Sequence, residues 1–150
     1  PEAPMTRLRQ CTILAFAACL AGATAAADIG QIKVARGTVN VERAGTTLPA
    51  VVGMRLQTAD TLRTGADGSA GITMNDDSLL SAGPNSVLVL ENYQLDAATN
   101  QGRFDAALNK GTLVVVSGRI AKQAPDAMTV RTPTAILGAR GTEFAVSVGE

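Results

Sequence analysis

Apolar and polar residues alternate along most of the chain, with glycine or an Asp/Asn cluster breaking the pattern about every ten residues, a spacing typical of short antiparallel strands. Residues 31–36 set Ile32 and Val34 on one face and Lys33 on the other; residues 38–43 set Val39 and Val41 inward, Asn40 and Glu42 outward. A period of two over so few residues predicts half-buried strands. Strand-like runs follow at 48–52 and 54–56 on either side of Gly53, and at 61–64 before Gly65-Ala66-Asp67-Gly68. That tetrapeptide predicts a turn, because Asp-Gly favours positive φ. Residues 69–74 put Ile72 and Met74 on one face, Asn75-Asp76-Asp77 turns the chain, residues 78–82 form a short strand, and Gly83-Pro84-Asn85 punctuates again.

Two runs break the alternation. SVLVL (86–90) and TLVVV (112–116) are apolar on both faces and are expected to be central strands covered above and below. Between them DAATNQG (96–102) is polar and predicts a loop-like excursion suited to contact. Phe104, Ala106 and Leu108 fit a strand, whereas Phe104, Ala107 and Leu108 fit a helical turn. Strand is preferred, with Asn109-Lys110-Gly111 as a tight return into Thr112. Further strands are expected at 128–131, 135–137 and 143–148, the last with Phe144, Val146 and Val148 inward. Thr132-Pro133 should end a strand at an edge or corner, since proline cannot donate to a ladder. No segment sustains a helical period, and the turns come too close together for βαβ units. The class is all-β.

Composition narrows the picture. The chain has 150 residues, suited to one domain, and 46% are apolar. There is no Trp, Tyr93 is the single tyrosine, and Phe occurs at Phe16, Phe104 and Phe144, so the core must be built from Val, Leu, Ile and Ala. A formal net charge of zero implies no basic face, and nucleic acid is not expected as a partner.

The amino terminus reads as an address. Residues 5–27 join a basic start at Arg7 and Arg9 to an apolar stretch at 11–22 and a small-residue site at Ala25-Ala26-Ala27, the three-part build of a signal peptide. Residues 1–4 read as an over-long start, leaving 28–150 as the β domain. A permanent anchor is the alternative, but the apolar stretch falls short of the roughly 20 residues that span a bilayer. A second alternative is a lipoprotein box at residues 16–19 with Cys19 lipidated, for which Phe16 is an unusual residue. Removal of the leader near Ala27 predicts a periplasmic or secreted protein with no stable membrane span. Histidine is absent and both cysteines, Cys11 and Cys19, lie in the leader, so no disulfide, thiol or imidazole remains in the domain.

The order of the punctuators carries a family signature. The chain runs from GTVNVER through DTLRTG (60–65), DSLLSAGPNSVLVL (77–90) and LNKGTLVVVSG to TPTAILGARGTEF (132–144). In that order it resembles the FecR domain from Gly37 to Val148. The resemblance implies an all-β periplasmic domain of short strands in a solenoid-like, β-helix-like stack, for which a β-sandwich is the alternative. It also implies a contact role. In its best-known setting the domain is the outer half of a membrane-bound sigma-factor regulator, signalled by an outer-membrane iron transporter. These residues show no cytoplasmic sigma-binding helices, so the exported β domain transfers and the anti-sigma activity does not.

Candidate chemistry is sparse. Ser69, Ser78, Ser81, Ser86, Ser117 and Ser147 have no histidine to act as base, and a Ser–Lys pair would need Lys33, Lys110 or Lys122 buried beside one of them. Asp67, Asp76 and Asp77 could form a glycosidase-like acid pair, but Tyr93, Phe104 and Phe144 furnish a sugar cleft poorly, and Asp in turns bonds the local backbone. The same turns lack the GGxGxD rhythm of calcium-binding solenoids. Arg140-Gly141-Thr142 suggests an anion clamp, or a bend at Gly138 and Gly141 with Arg140 pairing a nearby acid. The expectation is therefore a non-enzymatic module with no catalytic residue, metal or cofactor, acting by contact with a protein partner in the cell envelope. A structural envelope protein without a signalling role is the rival, and a small acid-dependent hydrolase the third class.

Overall fold

In this computed structural model residues 27–96, 98–138 and 143–149 are described. Their strands are β1 Asp28–Arg36, β2 Val39–Arg43, β3 Thr46–Pro49, β4 Arg55–Gln57, β5 Thr61–Thr64, β6 Ser69–Met74, β7 Leu79–Ala82, β8 Val87–Asp96 and β9 Gln101–Val116. A short helix α1 (Arg119–Gln123) and a 3-10 turn (Pro125–Ala127) lead to β10 Met128–Arg131, β11 Ile136–Gly138 and β12 Glu143–Val148.

All twelve strands join one sheet, in the order β3-β2-β5-β8-β9-β7-β6-β1-β4, with β10, β11 and β12 attached at and beyond β9. The sheet is curled around β9, which is 16 residues long. Its amino-terminal half pairs with β8 and, in parallel, with β10; its carboxy-terminal half pairs antiparallel with β7 and β12. The change of partners falls at Gly111, where φ is +91° and an added Cβ would lie 2.2 Å from Ser86 Oγ and 2.5 Å from Ser86 Cα. Only glycine satisfies both the left-handed backbone and the close approach. Two wings result. The amino wing is β3-β2-β5-β8-β9-β10-β11, and the carboxy wing is β12-β9-β7-β6-β1-β4.

Alternate side chains of both wings point into one core. It contains Val41, Leu62, Leu88, Leu90, Phe104, Ala106 and Leu108 from the amino wing, and Ile32, Ile72, Met74, Leu80, Leu113 and Val115 from the carboxy wing. Helix α1 adds Ile120 and Ala121, and Met128 follows. Tyr93 and Phe104 meet edge-on with ring centroids 5.4 Å apart. The aliphatic core inferred from composition is what forms, with this aromatic pair as its largest element.

Several expectations need correction. The all-β class stands, but apart from the β9·β10 ladder the described strands pair antiparallel, whereas a solenoid stacks its coils in parallel. Asn109-Lys110-Gly111 makes no hairpin return; β9 runs through it, and Gly111 bends the strand instead of reversing it. The valine-rich runs are central, but Val87, Val89, Val114 and Val116 are only half-buried, so their outer faces are not covered by a second layer of described residues. Val34 does not share a face with Ile32. A bulge between them in the β1·β6 ladder turns Val34 outward, where it is 42% exposed, and brings Ala35 against the core. The strand expected at 48–52 lies earlier, as β3, leaving Val51 and Val52 exposed. The excursion at 96–102 is the tip of the β8–β9 hairpin, whose strands continue to Asp96 and from Gln101. Helix α1 had no sequence signal, since five residues are too few to display a helical period.

Candidate functional site

The residues with chemical potential are used in three polar staples at the turns. Asp60 opens the DTLRTG motif and is 2% exposed. Its carboxylate takes a forked pair of hydrogen bonds from Arg43, Nε to Oδ1 at 2.9 Å and Nη2 to Oδ2 at 2.6 Å, and a third from the Gln57 N–H at 2.8 Å. The same Arg43 nitrogen Nη2 donates to the Arg55 carbonyl, so one guanidinium ties β2 to the β4–β5 turn. The bond to Asp60 holds the Arg43 guanidinium above its ordinary pKa.

Asp76, in the β6–β7 turn, is fully buried. Oδ2 accepts from Ser78 Oγ at 2.7 Å and from the Ile120 N–H at 3.2 Å; Oδ1 accepts from the Ser78 N–H and from Tyr93 Oη. Its main chain is held too, with its N–H donating to Tyr93 Oη and its carbonyl accepting from the Arg119 N–H. Gly118, which precedes α1, has no side chain to cap the helix, so the buried carboxylate supplies the missing acceptor from another turn. Gly118 must be glycine there: an added Cβ would lie 2.3 Å from the Ser78 nitrogen and 2.4 Å from the Asp76 carbonyl oxygen. Burial, then the charge of Asp76, pushes the Tyr93 phenol well above its ordinary range. Arg119 completes the cluster, donating to the Asn75 carbonyl and to Asn100 Oδ1 while its Nε faces Asp77 Oδ2 at 3.4 Å without hydrogen-bond alignment.

The third staple sits at the bend of β9. Thr64 Oγ1 donates to the Gly83 carbonyl and accepts from the Ser86 N–H; Ser86 Oγ donates to the Thr112 carbonyl and accepts from its N–H.

Asp67 lies in the β5–β6 turn and accepts from the Thr38 N–H, a bond that lowers its pKa. Asp76 lies beyond the other end of the six-residue strand β6, about 20 Å away at strand rise. Asp67 is therefore not brought to the other two acids; Asp77 adjoins Asp76 in the β6–β7 turn but is exposed beside Arg119, and Asp76 is consumed by its own donors. Ser78 and Ser86 are buried in the staples, and Ser81 and Ser147 are exposed on the outer face. Lys33 donates to Gln31 Oε1 rather than reaching a serine. Among the described residues no group of acids, cysteines or histidines gathers as a metal-ligand set. Arg140-Gly141-Thr142 lies outside the described residues. The hairpin tip is tied back, with Asp96 bonding the Ala98 and Asn100 N–H groups and Arg119 holding Asn100.

The outer faces of the wings are unlike. On the amino wing Arg131 pairs with Glu91, Arg103 pairs with Asp105 at 2.7 Å, and Thr129 Oγ1 donates to Asp105 Oδ1 at 2.6 Å. Burial opposes ionisation of Asp105, but the hydrogen bonds from Thr129 and Arg103 outweigh it and lower its pKa. On the carboxy wing the outer face is a shallow apolar depression formed by Val34, Gly71, Leu79, Ser81, Val114 and Val116. Sequence reasoning missed this surface because it assigned Val34 to the core and a second cover to the valine run. The surplus of valines over a strict alternation was its one visible signal.

Curled sheet, turn-anchored carboxylates and open outer faces together define an all-β sheet domain. Residues 60–150 match the family described as FecR protein, and the chain belongs to that family. The match opens on Asp60, so the resemblance seen from Gly37 onward is shown over its later part. No curated protein and no solved structure matches the chain. No described helix is long and apolar enough to cross a membrane.

Proposed function

We propose that the chain is an exported, non-enzymatic FecR-type module that acts in the bacterial cell envelope by contact with a protein partner, as part of a signalling assembly. The observation that carries this reading is the consumption of polar groups: Asp60, Asp76, Ser78 and Ser86 are all satisfied within the fold and support turns. Contact elements follow from topology. Among the described residues β11 pairs only with β10 and Ile136 is 72% exposed, so an extended segment of a partner can lie along that edge, with the β8–β9 tip as a second contact element. The leader at 5–27 supports export, with processing near Ala27, immediately before β1.

The test places a photocrosslinking side chain at Thr99 or Ile136 in the producing cell and identifies adducts from the envelope. One discrete protein adduct at these positions, absent from a probe at Val52, is the expected result. Adducts equally abundant at all three positions, or a chain retained in the cytoplasm with its leader intact, would overturn the reading. The structural-envelope rival predicts adducts with abundant wall or surface components rather than with a receptor or regulator.

A further inference from the structure

We propose that the outer face of the carboxy wing is a self-association surface, on which a second copy of this chain packs face to face about a two-fold axis running along β7. Strand register gives the surface its layout. One row runs Val34, Gly71, Ser81, Val114, Ala145 across β1, β6, β7, β9 and β12. The next runs Gln31, Thr73, Leu79, Val116, Glu143 across the same strands, with Arg55 of β4 beyond Gln31. Between the β1 and β12 margins every position in these rows is apolar or small, so two such sheets can approach to the ~10 Å spacing of packed sheets. The bulge in β1 contributes by turning Val34 out of the core and onto this face. Leu79, near the centre, is 46% exposed.

Charge at the rim selects the occupant and the orientation. The β1 side carries Lys33 and Arg36, and the β12 side carries Glu143. A two-fold axis along β7 lays β1 of one copy over β12 of the other row by row, which brings Lys33, beside Gln31, towards Glu143 twice per dimer and sets Arg36 over the Ser147 end of β12. An axis across the strands would set the basic rim against itself. The face is thus complementary to its own copy in one orientation only. The amino wing offers no equivalent, because its outward charges are already paired within the chain. This inference stands apart from the partner contacts proposed above, which use the hairpin tip and β11.

The surface is small. Five strands span about 19 Å, and the face covers roughly 400 Å² per copy against ~800 Å² for a standard interface. An area of that size fits a weak, reversible dimer rather than a permanent one.

Sedimentation velocity on the purified protein, across a series reaching high-micromolar concentration, tests this. The expected result is a monomer–dimer equilibrium that Leu79→Lys weakens by at least about tenfold in dissociation constant. Lys33→Glu should weaken it too, and adding Glu143→Lys in the same chain should restore it. Thermal unfolding confirms that each variant is folded, and Leu79→Ser replaces the lysine variant if that one is not. A monomer at every concentration overturns the proposal. So does a dimer that persists in the Leu79 variants, a charge exchange without rescue, or association lost only on Ile136→Lys.

Discussion

The two wings share a strand and a core but finish their outer surfaces in opposite ways. On the amino wing, long charged side chains pair with one another over the sheet; Ala107, which sits between Val89 and Arg131 in the ladder and outside the main core, is buried all the same. On the carboxy wing the corresponding positions hold Gly71, Ser81, Val114 and Val116, and charges appear only at the rim. The lesson is that stability and contact are separated in space. Ion pairs complete one face within the chain, while the other is apolar and open among the described residues, and neither face bears on the core that holds both.

The comparison can be broken most severely at the shared strand. Gly111→Val should abolish the bend by strain at positive φ and collision with Ser86, costing about 4 kcal/mol or more and unfolding both wings together; thermal melts read by far-ultraviolet circular dichroism check it. Next in size is Asp76→Ala. It strands the Ser78 hydroxyl and the Ile120 N–H in the interior and should cost about 3 kcal/mol in urea unfolding, with Asp76→Asn intermediate.

Smaller effects sharpen the contrast between faces. Arg131→Ala should cost no more than about 1 kcal/mol, because the pair with Glu91 is largely exposed. Leu79→Ser on the opposite face should change stability by less than about 0.5 kcal/mol while changing self-association, so stability and association respond to different faces.

The smallest signal is in pH. A carboxyl held below its ordinary pKa in the fold adds stability above its unfolded pKa, and that stability disappears as pH falls through the folded value. Asp105 is such a group, so stability should decline below about pH 4, and Asp105→Asn should flatten that limb. Tyr93 works in the opposite direction. Its raised pKa contributes stability that is complete below about pH 10 and lost on further alkalinisation, a limb that Tyr93→Phe should remove from an unfolding profile.

Much of the fold could be read from the chain because period-two alternation and turn chemistry are local. Val39 and Val41, Ile72 and Met74, and the turns at Asp67-Gly68 and Asn75–Asp77 sit where the pattern puts them, although neither Asp67 nor Gly68 takes the positive φ expected of Asp-Gly. What escaped depends on distant partners. Gly111 is a bend because Ser86 lies against it, and nothing between residues 104 and 116 records that contact. Val34 is expelled by a bulge set in the β1·β6 ladder, not by its own neighbours. Asp76 reads as an ordinary turn aspartate, and its role in capping α1 requires knowing that residues 118–120 return to it. The apolar outer face was hidden by a sound rule, that valine runs are covered on both sides, applied to a sheet with one open side.

The path of β9 has a dynamic consequence. Because it hydrogen-bonds to β8 and β10 over one half and to β7 and β12 over the other, neither wing can peel away without tearing the strand that belongs to both. Its central amides should therefore exchange with solvent only when the whole molecule opens, and a pull applied at one margin of the sheet is felt at the far one.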